Sequence, residues 1–185
     1  MTKTNMYVAL LRGINVGGNH LIKMVDLKEC FESMGYAGVT TYIQSGNVIF
    51  ESPETNIGEL ESKIEKTLSR TFDYESRLTV RSHKQLKKIV EHAPAWFGKD
   101  ASYKHNVIFI KKPATPAQAM QVVTLKEGVD KVAAGDDVLY VSTLLAAGTK
   151  SSLPRLVGTK VYQYMTIRNS NTVLKLLQLA ERTPY

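Results

Sequence analysis

Leu10-Leu11-Arg12-Gly13-Ile14-Asn15-Val16-Gly17-Gly18-Asn19-His20 puts one cation, two amides and three glycines directly after an apolar strand. Glycine tolerates positive φ and lets the main chain come close to a ligand, so consecutive N–H groups can line one anion-binding concavity. Gly13 and Gly18 have the spacing of the two P-loop glycines, but Asn19 and His20 stand where that motif needs Lys and Ser/Thr. The dinucleotide pattern G-x-G-x-x-G does not fit either. Neither parallel nucleotide-binding fold is therefore indicated, and the fold has to be read from the order of elements. The competing reading of the stretch is a glycine-rich turn that joins a strand to a helix.

Working outward, the first half reads as strand 6–12, helix 24–34, strands 39–44 and 47–52, helix 57–71, strand 76–81 and helix 83–93. Asn56-x-x-Glu59 is a capping-box pattern, and Ile57, Leu60, Ile64 and Leu68 repeat at helical spacing behind it. Glu61, Lys63, Glu65 and Lys66 then belong to the solvent face. Leu27, Cys30, Phe31 and Met34 share one face of the preceding helix, which makes Cys30 a core residue. Pro94 ends the helix that begins at 83.

The second half repeats this order: strand 105–111, helix 116–126, strands 130–134 and 138–142, a short helix near 152–160, strand 162–167 and helix 171–181. Thr115-Pro116-Ala117-Gln118 is a helix start with Thr at the N-cap, Pro at N1 and Gln at N3. Gly135-Asp136-Asp137 reads as a hairpin turn. The repeat is one of element order, with no sequence identity evident between the halves. The expectation is an α+β protein of tandem ferredoxin-like (βαββαβ) subdomains, with antiparallel sheets and an additional C-terminal helix in each half. Residues 1–94 and 103–185 would be the subdomains, packed as one compact unit, and 95–102 the joint.

Composition narrows the function. The net charge of +7 favours an anionic partner, and between Asp137 and Glu181 there is no acid while Lys150, Arg155, Lys160, Arg168 and Lys175 all occur. A solvated basic face is the alternative reading of that run. One cysteine excludes an internal disulfide, and the histidines show no i, i+4 pairing, so neither a metal site nor a cofactor is expected. No apolar run is long enough to span a bilayer, and Met1-Thr2-Lys3-Thr4-Asn5 lacks the shape of a signal peptide, which points to a cytoplasmic protein without a membrane partner.

In a split β-α-β plan the loop after the first strand and the hairpin after the second lie at one edge of the sheet. The expected ligand-binding set is Arg12, Gly13, Asn15, Gly17 and Gly18 from the loop with Tyr42, Gln44, Ser45, Gly46 and Asn47 from the hairpin. Arg168 and Asn169 join it, because Ser170 or Asn171 caps the last helix and a helix N-terminus favours anions. Tight turning and ordinary capping are the competing explanations of these residues. The set holds no carboxylate, and His20 is the nearby titratable base, so binding is indicated more than turnover.

Tyr7-Val8-Ala9-Leu10-Leu11-Arg12-Gly13-Ile14-Asn15-Val16-Gly17-Gly18, Tyr42-Ile43-Gln44-Ser45-Gly46-Asn47-Val48 and Thr166-Ile167-Arg168-Asn169 with Asn171-Thr172-Val173-Leu174-Lys175 together resemble the uncharacterised family called domain of unknown function 1697. The resemblance implies a tandem ferredoxin-like, mostly bacterial, cytoplasmic protein and transfers no reaction. Asn19 stands where many relatives have Lys, and Ser170 where many have Trp. Binding of an anionic or nucleotide-like small molecule at the glycine-rich loop is the leading expectation. Nucleic-acid binding is an alternative, although no aromatic RNA-recognition strand motif is present. An enzyme acting on a phosphorylated small molecule, with His20 as base, is the other.

Overall fold

The computed structural model describes residues 4–18 and 20–182, so Asn19 lies outside the described residues. The chain divides into two compact units, Met1–Lys87 with Lys175–Tyr185, and Lys88–Leu174. No helix among the described residues is long and apolar enough to cross a membrane.

The first unit holds β1 (Asn5–Arg12), α1 (Met24–Ser33), β2 (Ala37–Tyr42), β3 (Asn47–Ser52), α2 (Ile57–Phe72) and β4 (Arg77–Ser82). Its sheet has the order β2-β3-β1-β4, with every neighbouring pair antiparallel. Alternation along β1 sends Tyr7, Ala9 and Leu11 into a core with Phe31 and Tyr36, Phe50 of β3, and Leu60, Ile64 and Leu68 of α2. Phe50 is the centre of this core, with ring centroids 4.6 Å from Tyr36, 5.4 Å from Phe31 and 5.7 Å from Tyr7. Each such side chain contributes about 1.5–3 kcal/mol by leaving water. Val8, Leu10, Ile49, Thr79 and Arg81 alternate with the core residues and are buried as well, so both faces of the sheet are covered.

α2 starts where the spacing predicts, with Asn56 accepting from the N–H groups of Gly58 and Glu59. Its acidic residues are not all on a solvent face, as the periodicity suggested. Glu61 is buried and accepts from the N–H of Val80 at 2.9 Å, and Glu65 accepts from Leu78 N–H at the same distance. β4 is an edge strand whose outward N–H groups need acceptors, and the two carboxylates supply them. Cys30 is a core residue and contacts the Thr71 hydroxyl at 3.8 Å.

α3 (His83–Glu91) carries the chain across the division between the units. The second unit contains β5 (Tyr103–Ile110), α4 (Pro116–Val122), β6 (Asp130–Gly135), β7 (Val138–Leu144) and β8 (Met165–Asn169), and α5 (Ser170–Arg182) begins in it. The sheet order is β6-β7-β5-β8, again antiparallel throughout. The Thr115 capping box forms as read from the sequence, but α4 stops at Val122 because Val123 turns to extended backbone. In place of one short helix near 152–160 there are three 3₁₀ stretches, Leu145–Lys150, Leu153–Gly158 and Lys160–Tyr164. The last of these delays the final strand to Met165.

Asp130 holds this irregular region. One carboxylate oxygen accepts from the Ser151 and Thr143 hydroxyls (2.7 and 3.2 Å), the other from the N–H groups of Ser152 and Lys126 (3.0 and 3.1 Å). Burial opposes its ionisation, yet these bonds outweigh burial and hold its pKa below the ordinary aspartate value.

Register exposes a repeat that the sequence hides. Val8 of β1 faces Arg81 of β4, and Val107 of β5 faces Arg168 of β8. The aligned strands read Thr79-Val80-Arg81-Ser82 and Thr166-Ile167-Arg168-Asn169. Each arginine is buried and donates Nη1 to the carbonyl of the preceding residue, Val80 (2.8 Å) or Ile167 (2.9 Å).

Candidate functional site

The structure brings the loop after β1 and the β2–β3 hairpin together. Leu11 N–H donates to the Gly46 carbonyl at 2.8 Å, so the hairpin closes directly on the end of β1. Gly46 has φ +76 and is packed so closely that a Cβ there would stand 2.5 Å from Ile14 Cδ1 and 2.9 Å from Leu11 Cβ. Only glycine satisfies both conditions.

Asn15 is the organiser of the loop. Its side-chain amide donates to the carbonyls of Ile22 and Gln44, both at 2.9 Å, and its oxygen accepts from Ile22 N–H at 2.8 Å. Its own N–H donates to the His20 carbonyl at 3.2 Å. Asparagine suits the left-handed backbone adopted here, φ 54. Asn47 has the matching role in the hairpin: fully buried, it donates to the Tyr42 carbonyl (2.9 Å) and to the Ser45 hydroxyl (3.1 Å). β2 ends at Tyr42, two residues short of the sequence expectation, because Ile43 has φ 50.

The exposed part of the junction is therefore a framed loop. Gly13, Gly17 and Gly18 are exposed with φ of 71, 60 and 78, and Gln44 is exposed beside them through its bond to Asn15. Arg12 and Tyr42 are half-buried at the ends of β1 and β2. The His20 ring rests on Tyr74, with centroids 5.0 Å apart. Val16, Leu21, Val25 and Ile43 are the large apolar side chains that the described residues of this unit leave exposed, and all four belong to this loop, the start of α1 or the hairpin.

Arg168 and Asn169 lie in the second unit. Arg168 is 8% exposed, and burial lowers its pKa to about 10. Asn169 donates its amide to the His105 carbonyl (3.2 Å) and accepts from Asn171 N–H (2.9 Å), a capping arrangement at the start of α5. It lines a cavity of about 510 Å³ with Phe97, Tyr103, Lys104, His105 and Asn171. Reading the sequence for motifs does not find this cavity, because its lining comes from four separate segments. The cluster Trp96, Phe97, Lys99, Tyr103 and Lys104 is the signal that was available.

The same junction is built twice. Ile110 N–H donates to the Asp137 carbonyl at 2.8 Å, in the place of Leu11 and Gly46, and Asp137 also has positive φ, 55. Here, however, strand and helix are joined by residues 111–115 only, against 13–23 in the first unit. The second hairpin carries Asp136 and Asp137 where the first carries no acid.

Comparison with solved structures finds a conserved bacterial protein, SP0830, from Streptococcus pneumoniae: 24% identical, with a TM-score of 0.85 over 96% of this chain and 99% of that one. At that identity the likeness speaks for the fold. No curated protein matches the chain. A family model matches residues 4–140, which include both sides of the β1 junction, and the chain accordingly belongs to the family of proteins of unknown function DUF1697.

Proposed function

We propose that the junction of β1 with the β2–β3 hairpin binds an anionic small molecule that also carries an apolar portion. The comparison of the two junctions supports this reading. Strand-to-helix connections in such units are usually about 2–6 residues, and the second unit closes the same hydrogen bond with residues 111–115. The longer first loop, with its glycines, Arg12 and absence of acids, is thus more than the fold requires. In this reading Arg12 supplies charge, the N–H groups around Gly13, Gly17 and Gly18 supply donors, and Tyr42, Gln44 and Ser45 border the ligand. Asn15, Gly46 and Asn47 position them. Exposed Val16, Leu21 and Ile43 would meet the apolar portion. Strand order and register also support reading each unit as a ferredoxin-like subdomain.

A thermal-shift scan against inorganic phosphate, nucleotides and short oligonucleotides, at low and near-physiological salt, tests this. A salt-resistant shift with one small anion, lost in Arg12→Ala, is the expected result. Shifts with oligonucleotides alone, fading as salt rises, would replace it with nucleic-acid binding.

A further inference from the structure

We infer that the cavity of the second unit is a separate binding site for a planar aromatic anion. At about 510 Å³ it falls in the size range of small-molecule sites, and all of its lining residues belong to this one unit. Its walls are rings. Phe97 stands edge-on to both Tyr140 and His105, with centroids 5.2 and 5.3 Å apart, so its orientation is set before any ligand arrives. Tyr103 carries the Lys131 ammonium over its ring, 4.2 Å from the centroid.

The polar groups in the walls are largely engaged, which specifies what the cavity offers. Tyr140 donates its hydroxyl to the Ile89 carbonyl at 2.6 Å, and burial raises its pKa to about 12, so it stays neutral and presents ring surface. Both His105 nitrogens are occupied, one by the Ser142 hydroxyl at 2.6 Å and the other by the Asp100 carbonyl at 2.9 Å. Ser142 is itself buried. His105 is thus a wall component whose ring is held in place from both sides. Asp100 is the one carboxylate among the described lining residues, and its Oδ1 already accepts from the Ser102 N–H and hydroxyl at 2.9 and 2.6 Å.

Lys99 and Lys104, both exposed, line the same cavity, and Ser170 and Asn171 begin the 13-residue helix α5 beside them. Two ammonium groups against one engaged carboxylate favour an anion. Rings of Phe97 and Tyr103 favour a flat unsaturated body, which stacks on aromatic faces better than a saturated one of the same size. The ligand class is therefore an aromatic carboxylate or aromatic phosphate of one or two rings, with its acid group toward Lys99 and the start of α5.

The protein carries its own reporter. Trp96 is the single tryptophan, and its ring stands edge-on to Phe97 with centroids 5.9 Å apart. Titration with phenyl phosphate, followed by Trp96 emission and by ligand-observed NMR, should saturate with a Kd of about 1 mM or tighter, reasonable for a ligand of this size. Inorganic phosphate and benzyl alcohol should leave Trp96 emission unchanged over the same range. The double variant Lys99→Glu, Lys104→Glu should weaken phenyl phosphate by roughly tenfold or more, as expected when attraction becomes repulsion at a partly desolvated site. Both lysines are exposed, so folding should be retained and circular dichroism should match the wild type. Arg12→Ala, in the other unit, should leave the Trp96 emission response to phenyl phosphate intact, whatever it does to binding at the β1 junction. Absence of saturation in Trp96 emission, an equal Trp96 response to benzyl alcohol, or loss of the Trp96 response in Arg12→Ala would overturn the assignment.

Discussion

Asn15 extends its side-chain amide from the loop after β1 to the main-chain carbonyl of Gln44 in the next hairpin, 2.9 Å away. One residue thereby joins two segments 29 positions apart and, through Ile22, closes its own loop. Asn15→Asp retains the acceptor but loses both donated bonds and sets a carboxylate against two carbonyls. We expect a loss of about 1–2 kcal/mol in urea unfolding, from two lost hydrogen bonds and the repulsion that replaces them at a half-buried site. Hydrogen exchange should rise at residues 15–22 and 43–46. Unchanged stability with unchanged exchange would show that the loop is held by other contacts.

Two glycines of the junction should respond differently to alanine. At Gly46 a Cβ meets Ile14 and Leu11 in addition to the unfavourable φ, whereas at Gly17 nothing lies within 4 Å and only φ +60 is penalised. Gly46→Ala should cost about 2–4 kcal/mol, combining strain with overpacking, and Gly17→Ala about 1 kcal/mol. Chemical denaturation of both variants decides this, and equal losses would contradict the packing described at Gly46.

Asp130 should dominate the acid sensitivity of the second unit. Its pKa is depressed in the folded chain, so its stabilisation is complete above the ordinary aspartate value, near about 3.9, and disappears as pH falls through the folded value. Asp130→Ala removes four acceptor contacts and should cost about 2–4 kcal/mol at pH 7. Asp130→Asn should cost less, since the Thr143 and Ser151 hydroxyls can reverse to accept. It should also flatten the decline of stability as pH falls below the ordinary aspartate value, where the carboxylate otherwise takes up its proton. An unchanged acid limb in Asp130→Asn would assign that limb to other groups.

Arg12→Ala tests charge at the junction separately from architecture. Arg12 is half-buried at the end of β1 and its removal leaves the Asn15 and Gly46 contacts in place. The thermal midpoint without ligand should therefore move by no more than a few degrees, in keeping with about 1 kcal/mol or less at this chain length. Any stabilisation by a small anion should fall at least tenfold in apparent affinity. Arg12→Lys should restore part of it, because the charge returns without the planar fork.

Much of the architecture was legible in local chemistry. The Asn56 cap, the Thr115 capping box and the apolar spacing of α1 and α2 act over one or two helical turns, so neighbouring residues alone determine them, whereas α3 ends at Glu91, short of the Pro94 stop. The order of strands and helices in both halves followed from the same signals. Long-range relations were not accessible in this way. Glu61 looks like a surface acid on its helix, and only the edge position of β4 makes it an acceptor for Val80. Asn15 and Asn47 look like ligand groups, and only the approach of loop to hairpin shows that main-chain carbonyls occupy their amides. The kinship of Thr79-Val80-Arg81-Ser82 with Thr166-Ile167-Arg168-Asn169 emerges from strand register, because a match over four positions gains meaning only when each faces the same partner position. The sequence by itself determined which segments become helices and strands. Tertiary structure decided which polar groups remain for a ligand, since a hydrogen-bonding group is available only after the backbone groups brought beside it have been satisfied.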